Sequence, residues 1–310
     1  VKVVLNAEEA DHDARHSSCL LKLRGGDYDG RPLFLAMEIN MFSVCTMIYG
    51  DYPLLAKKLL ESLKYPVHVS DFRVGLNEVS DQVRSYVMQW AANTSAQIPV
   101  YVFQEKDNKN VGKYPLMRQM FRHTTLAKKV MWFDDDSYLD ETITHKWWDS
   151  IRDLSKTAEQ IGAIHQIRQR NKQFEVIAKQ PWYGKKPLNH RTKYRFATGG
   201  WWVADSKFLL KYDYPFKALY HNGGDSILGE VIRQQGLRLK DFKNGMQCHC
   251  ESCMRRGIKT GVPVVHINVG GRQGRRGIGV ANEKYVWNDG NPNPDLSHQD
   301  FEMKVTSYGI

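Results

Sequence analysis

Three consecutive aspartates, Asp134, Asp135 and Asp136, follow directly on the apolar run KVMWF (129–133). Adjacent carboxylates repel one another unless a cation neutralises them, and hard divalent ions such as Mg²⁺ or Mn²⁺ take a few carboxylates together with phosphate oxygens. Side chains alternate along an extended segment, so Asp134 and Asp136 share one side while Asp135 points to the other. Their place at the end of an apolar strand favours a metal or phosphate site over a solvated acidic turn. Further along, RFATGGWWVADSKFL (195–209) joins Gly199-Gly200, which lets a backbone come close, to Trp201-Trp202, which offer faces on which a sugar ring can stack. A buried strand with a glycine bend would want the same residues. In HNGGDSILGEVIRQQG (221–236), Asp225 opens a helical pattern, where an acid can cap exposed amides. His266, in the β-branched run VPVVHINVGG (262–271), is either core or a ligand, since neutral imidazole suits Mn²⁺. The loop GGRQGRRGIG (270–279) carries Arg272, Arg275 and Arg276, a cationic, glycine-rich stretch suited to a diphosphate.

The elements that must position these residues are legible in the spacing of apolar side chains. FSVCTMIYG (42–50), VHVSDFRVGLN (67–77), IPVYVFQ (98–104) and KVMWF (129–133) read as strands. Between them lie helical patterns: one opened by Pro53 with Leu54, Leu55, Leu59, Leu60 and Leu63, one over 79–92 and one over 114–124. Alternating strand and helix predicts right-handed βαβ units and a mostly parallel α/β sheet of Rossmann-like type, flanked by helices, in a single catalytic domain. In such a sheet, ligands bind beyond the carboxyl ends of the strands. The inward stripe of the helix after Asp225 includes Ile227, Leu228, Val231 and Ile232. Residues 1–40 read as an N-terminal extension, 41–280 as the domain and 281–310 as a C-terminal tail.

The motif DDDSYL (134–139) resembles the DDD-(S/T/N)-Y of fringe-like glycosyltransferases, members of the GT-A group marked by a strand ending in Asp-x-Asp, and the chain also resembles family-2-like nucleotide-sugar transferases of that group. FATGGWW (196–202) is similar to the FATGGAG of the fringe-like group, with Trp-Trp in place of Ala-Gly. NVGKYPLMRQMF (110–121) resembles the Asn-x-Gly-Lys stretch that precedes the Asp-x-Asp strand. The resemblance implies a metal-dependent hexosyl- or N-acetylhexosaminyltransferase using a nucleoside-diphosphate sugar, with UDP favoured, and Mn²⁺ or Mg²⁺. Asp136 would ligate the metal with Asp134 and His266. Asp134 would also meet the ribose, and Asp135 the donor sugar. Lys113 would touch the nucleotide, Arg118 would lie one turn along, and Asn77, at the end of the second strand, would bind the base. Gly199, Gly200, Trp201 and Trp202 would line the acceptor pocket. Asp225, with Glu230 in reserve, would be the base of an inverting reaction.

Composition sets the remaining bounds. The 310 residues are 42% apolar, with 44 Lys and Arg against 34 Asp and Glu, a net +10. Nine of the cations fall between 168 and 195 beside a single acid, Glu175. Lys185 and Lys186 lie there, next to Trp182 and Tyr183, and suit an anionic polymer as acceptor alongside glycan or protein. No apolar run reaches the length of a membrane span. Because the chain opens on Val1, a preceding anchor stays open, and with it a choice between a cytoplasmic enzyme, slightly favoured, and the lumenal domain of an anchored one. Cys248, His249, Cys250 and Cys253 form either a zinc knot, reduced thiols or one local disulfide. Two other functions fit parts of the chain. A sugar-phosphate nucleotidyltransferase would share the layout, but TMIYGDYP (46–53) lacks its glycine-rich basic loop. A nucleic-acid-binding protein on a degenerate enzyme fold would use the basic stretch but not the acids.

Overall fold

The computed structural model describes residues 40–64, 66–139, 145–168, 177–184, 186, 193–216, 219, 224–242, 246–248, 264–266 and 302–309. The first strand, β1 (Phe42–Gly50), is buried almost throughout, the pattern of a strand covered on both faces. It feeds α1 (Pro53–Ser62), which opens on Pro53, where a missing N–H costs nothing. Next come β2 (Val69–Val79) and α2 (Asp81–Thr94), whose start is capped by Ser80 accepting the Val83 N–H. β3 (Val100–Glu105), α3 (Lys113–Arg122) and β4 (Lys129–Asp134) complete the series predicted from sequence, each within two residues of its expected limits.

The large sheet places these strands in the order β3-β2-β1-β4, all parallel. After β4 come a short strand β5 (Ser137–Leu139), α4 (His145–Ser155), β6 (Gln160–Arg168), β7 (Lys193–Asp205), α5 (Ser206–Lys211), α6 (Gly224–Gln235) and β8 (Leu239–Asp241). β7 pairs antiparallel with both β4 and β6, and β8 runs parallel to β6 at one edge. The remaining strands are β9 (Met246–Cys248), β10 (Val264–His266) and β11 (Met303–Tyr308). β11 closes the other edge of the large sheet, antiparallel to β3. The segment expected as a C-terminal tail therefore contributes a strand to the domain. Apart from Asn40, the expected N-terminal extension lies outside the described residues.

Two cores cover the sheet. On one face α1, α2 and α4 pack through Leu59, Leu60, Val83, Val87, Trp148 and Ile151. On the other, α3, α5 and α6 pack through Leu116, Met120, Phe208 and the predicted stripe of Ile227, Leu228, Val231 and Ile232. Because the chain moves from β1 outward to β3 and then returns to place β4 on the other side of β1, strand order reverses between β1 and β4. Their crossover helices lie on opposite faces, so the carboxyl ends of β1 and β4 open a crevice, the place where doubly wound sheets hold ligands.

Candidate active site

Asp134 ends β4 at this crevice. Asp135 and Asp136 form a turn before β5. The alternation expected of an extended segment therefore does not apply: the strand stops at Asp134, and Asp135 and Asp136 are both buried. Asp134 Oδ1 accepts from Lys113 Nζ at 2.6 Å and from the Trp132 indole N–H at 2.7 Å. Such a charge-assisted bond in a half-buried setting fixes both partners. Burial opposes the charge on Lys113, but Asp134, with Tyr214 and Asp225 nearby, prevails and raises its pKa.

Lys113 is the first residue of α3, and the loop before it is built by asparagines. Asn77 Oδ1 accepts the Val111 N–H at 2.9 Å, and Asn77 Nδ2 donates to Asn110 Oδ1 at 2.9 Å. Asn110 Oδ1 in turn accepts the Gly112 N–H at 3.0 Å. Gly112 has φ +84°, the left-handed region that suits glycine. The base-binding role expected of Asn77 is thus corrected. Its side chain is buried, and its carbonyl and amide groups both hold the loop that delivers Lys113. Arg118, one turn along α3, is likewise bound to protein, through Pro215 O at 2.6 Å and Asp213 Oδ1 at 2.9 Å.

The first turn of α6 brings Asp225 to the same crevice. Its Oδ1 accepts the Ser226 N–H at 2.8 Å. Burial pushes its carboxyl pKa up; the Lys113 ammonium and the Ser226 N–H pull it down, and the Asp134 charge pushes it up again, leaving a net rise. The reserve base Glu230 is corrected. It is 0% exposed and held by Arg233 at 2.6 Å and Gln234 at 2.8 Å, so no substrate hydroxyl can reach it. Two residues not anticipated from sequence complete the surroundings. Tyr114 Oη accepts the Gly224 N–H at 3.0 Å, and Tyr214 packs edge-on against Tyr114, with ring centroids 6.3 Å apart. The signal for Tyr114 was its place beside Lys113 at a helix start; Tyr214 left none.

β7 brings the glycine pair close to the acids. Its last residue paired with β4 is Trp201, opposite Phe133, so Gly200 comes next, beside Asp134. The β6–β7 ladder jumps from Gly162↔Trp202 to Ile164↔Ala197, which leaves residues 198–201 as a bulge. Bulges of this kind re-aim a strand next to a site. The stacking role expected of Trp201 and Trp202 is corrected: they are 0% and 2% exposed. Trp201 packs against Phe133 and Trp147 in one core, while Trp202 stacks on Trp132 at 6.2 Å in the other. Neither indole presents a face to a sugar.

Of the remaining acceptor residues, Lys186 is not brought to the crevice. Its Nζ donates to Arg233 O at 2.6 Å, at the carboxyl end of α6, about 12 Å along the axis from Asp225. Trp182 is buried in the second core. Lys185, Arg272, Arg275 and Arg276 lie outside the described residues, as do His249, Cys250 and Cys253.

A divalent ion fits the chemistry beside Asp136. β5 begins at Ser137, whose Oγ is buried with no hydrogen-bond partner among the described residues. β10 pairs antiparallel with β5 and places His266 directly opposite Ser137 in register. A carboxylate, an orphaned hydroxyl and a histidine position make up the oxygen and imidazole set that Mn²⁺ takes. Among the described residues no three His, Cys, Asp or Glu side chains by themselves form such a group.

No protein-family profile and no curated protein sequence matches the chain. Solved structures of similar fold include a mannosyltransferase from Pyrobaculum calidifontis in complex with GDP-Man and Mn²⁺, at 15% identity and TM-score 0.45, covering 66% of this chain and 55% of that one. S. aureus TarS 1–349 in complex with UDP-GlcNAc is similar at 13% identity and TM-score 0.40, over 65% of this chain and 55% of that one. Mouse xyloside xylosyltransferase 1 is similar at 10% identity and TM-score 0.42, over 74% of this chain and 98% of that one. The chain thus spans 55% of the length of the mannosyltransferase and of the TarS fragment. At these identities the likeness is one of backbone, and the chemistry has to come from this chain's own residues. No helix among the described residues is long and apolar enough to cross a membrane.

Proposed function

We propose that the chain is a metal-dependent, inverting glycosyltransferase that moves a hexosyl or N-acetylhexosaminyl unit from a nucleoside-diphosphate sugar, UDP-linked by preference, to an acceptor hydroxyl. The observation that carries this reading is two carboxylates held in unlike environments at one switch-point crevice. Asp134 is neutralised by Lys113, whereas Asp225 faces that pair with a raised pKa. A carboxyl whose pKa is raised beside one held in an ion pair suits the two to different roles. Asp225 is suited to take a proton, while Asp134 is held by Lys113 on the donor side.

In this reading Asp136, Asp134 and His266 would hold the ion, which would supply positive charge to the diphosphate. Lys113, together with Arg272, Arg275 and Arg276, supplies further positive charge to the phosphates, Asp135 lies toward the donor sugar, and the Gly199-Gly200 bulge lines the acceptor side. The acceptor oxygen attacks the anomeric carbon while its proton passes to Asp225, and the nucleoside diphosphate departs from the opposite face. One in-line displacement inverts the anomeric configuration. The acceptor belongs to a glycan, a protein or an anionic polymer. Lys186 contributes nothing to that choice from the end of α6.

The test is calorimetry of UDP and GDP with and without Mn²⁺. Mn²⁺ should tighten binding of one of them about tenfold or more in the wild type but not in Asp136→Ala. Affinity indifferent to Mn²⁺ would remove the metal from the reading. A product whose anomeric configuration is retained, by NMR, would remove Asp225 as base.

A further inference from the structure

Lys113 and Tyr114 are neighbours in the first turn of α3, yet they reach different elements. Lys113 holds Asp134 at the end of β4. Tyr114 holds the first residue of α6, through the Gly224 N–H at 3.0 Å. That amide is one of the four at a helix start with no partner inside the helix. A capping side chain just before the helix commonly serves such an amide; here a phenol from another helix does so.

The contact is also flush. A Cβ placed on Gly224 would lie 2.3 Å from Tyr114 Cζ and 2.5 Å from its Oη, so only glycine can open α6 against this ring. Tyr114 is itself held. Its hydroxyl is hydrogen-bonded to that of Tyr214, and Arg118, four residues along α3, pins the segment carrying Tyr214 through Pro215 O and Asp213. Buried beside the charges of Asp225 and Asp134, the Tyr114 phenol has a pKa well above its ordinary value and stays neutral. Among the described residues Asp225 accepts from the Ser226 N–H, which belongs to the same turn. The placement of Asp225 therefore depends on what fixes that turn.

We propose that Tyr114 is a positioning residue for Asp225, seating the first turn of α6 on its ring and hydroxyl, an inference that rests on the reading of Asp225 as the base. A displacement of about 1 Å at a reacting group can cost on the order of 100-fold in rate. The loss should appear in kcat, because the donor is held by other residues.

The experiment uses Tyr114→Phe, which keeps the ring and removes the hydroxyl, in the full chain. Amide exchange by NMR should accelerate at Gly224 and its neighbours and leave amides of β1 and β2 unchanged. In a transfer assay kcat should fall about tenfold or more, with the donor KM held within about twofold. Gly224→Ala, which keeps the hydroxyl but pushes the turn off the ring, should give the same split between kcat and KM and guards against misfolding of the first variant. Unchanged exchange at Gly224, or unchanged kcat despite faster exchange, in an active enzyme overturns this role alone. A wild type that turns over no nucleotide sugar overturns the base reading, and this role with it.

Discussion

Asp134 and Asp225 carry the same side chain into neighbouring positions with different surroundings. Lys113 and the Trp132 N–H converge on one oxygen of Asp134, while burial raises the pKa of Asp225. A base must be ionised to act, so activity should rise with pH along a limb displaced above the ordinary carboxylate value of about 3.9. The Lys113 ammonium favours ionised Asp225 and Asp134 disfavours it. Lys113→Met removes the stabilising charge and leaves the repelling one, so it should move the acid limb to higher pH. A limb that stayed in place or fell would show that the two groups do not sense each other. Asp225→Asn should keep nucleotide binding and lose about 10²- to 10⁴-fold in transfer, read from kcat at saturating donor. The closeness of Asp134, Lys113 and Asp225 was foreshadowed in the sequence because each sits at the end or start of a patterned element. The sequence misjudged Asn77 and Glu230, whose polar side chains look functional in one dimension. Only the fold shows that their hydrogen bonds are spent on the 110–112 loop and on Arg233.

Among the elements, β7 shows where a local pattern gives two answers. Gly-Gly-Trp-Trp is compatible with a sugar platform and with a buried strand, since both want flat apolar rings beside flexible backbone. The deciding facts are non-local. β4 and β6 flank β7, and helices cover both faces, so Trp201 and Trp202 point into opposite cores. Trp202→Ala should therefore cost about 3–5 kcal/mol of stability, measured by denaturant unfolding. A change under about 0.5 kcal/mol, as for an exposed platform, would contradict the placement. The asparagine-built loop before α3 makes a companion prediction. Asn77→Ala strands the part-buried Val111 N–H and should cost about 1 kcal/mol, while raising the donor KM through Lys113. Loss of stability with an unchanged KM would separate the loop from the donor site.

For the molecule as a whole, the order of strands and helices was readable because each crossover repeats one rhythm, an apolar run followed by a 3.6-residue stripe. The edge strand β11 was not. It is short, half-exposed and about 170 residues from the end of the four-strand series, so only pairing with β3 identifies it. The nine cations between 168 and 195 suggested an anionic acceptor; of these, Lys186 caps the far end of α6, and Lys185 lies outside the described residues. The central proposal is that the crevice between β1 and β4 takes a nucleotide sugar, with Asp136 toward a metal and Asp225 as the base. The most direct measurement is release of nucleoside diphosphate from a panel of nucleotide sugars with Mn²⁺, for wild type, Asp136→Ala and Asp225→Asn. The expected result is turnover of at least one donor by the wild type, abolished by chelation and by either substitution. Equal release by all three proteins, or by none across the panel, would contradict it.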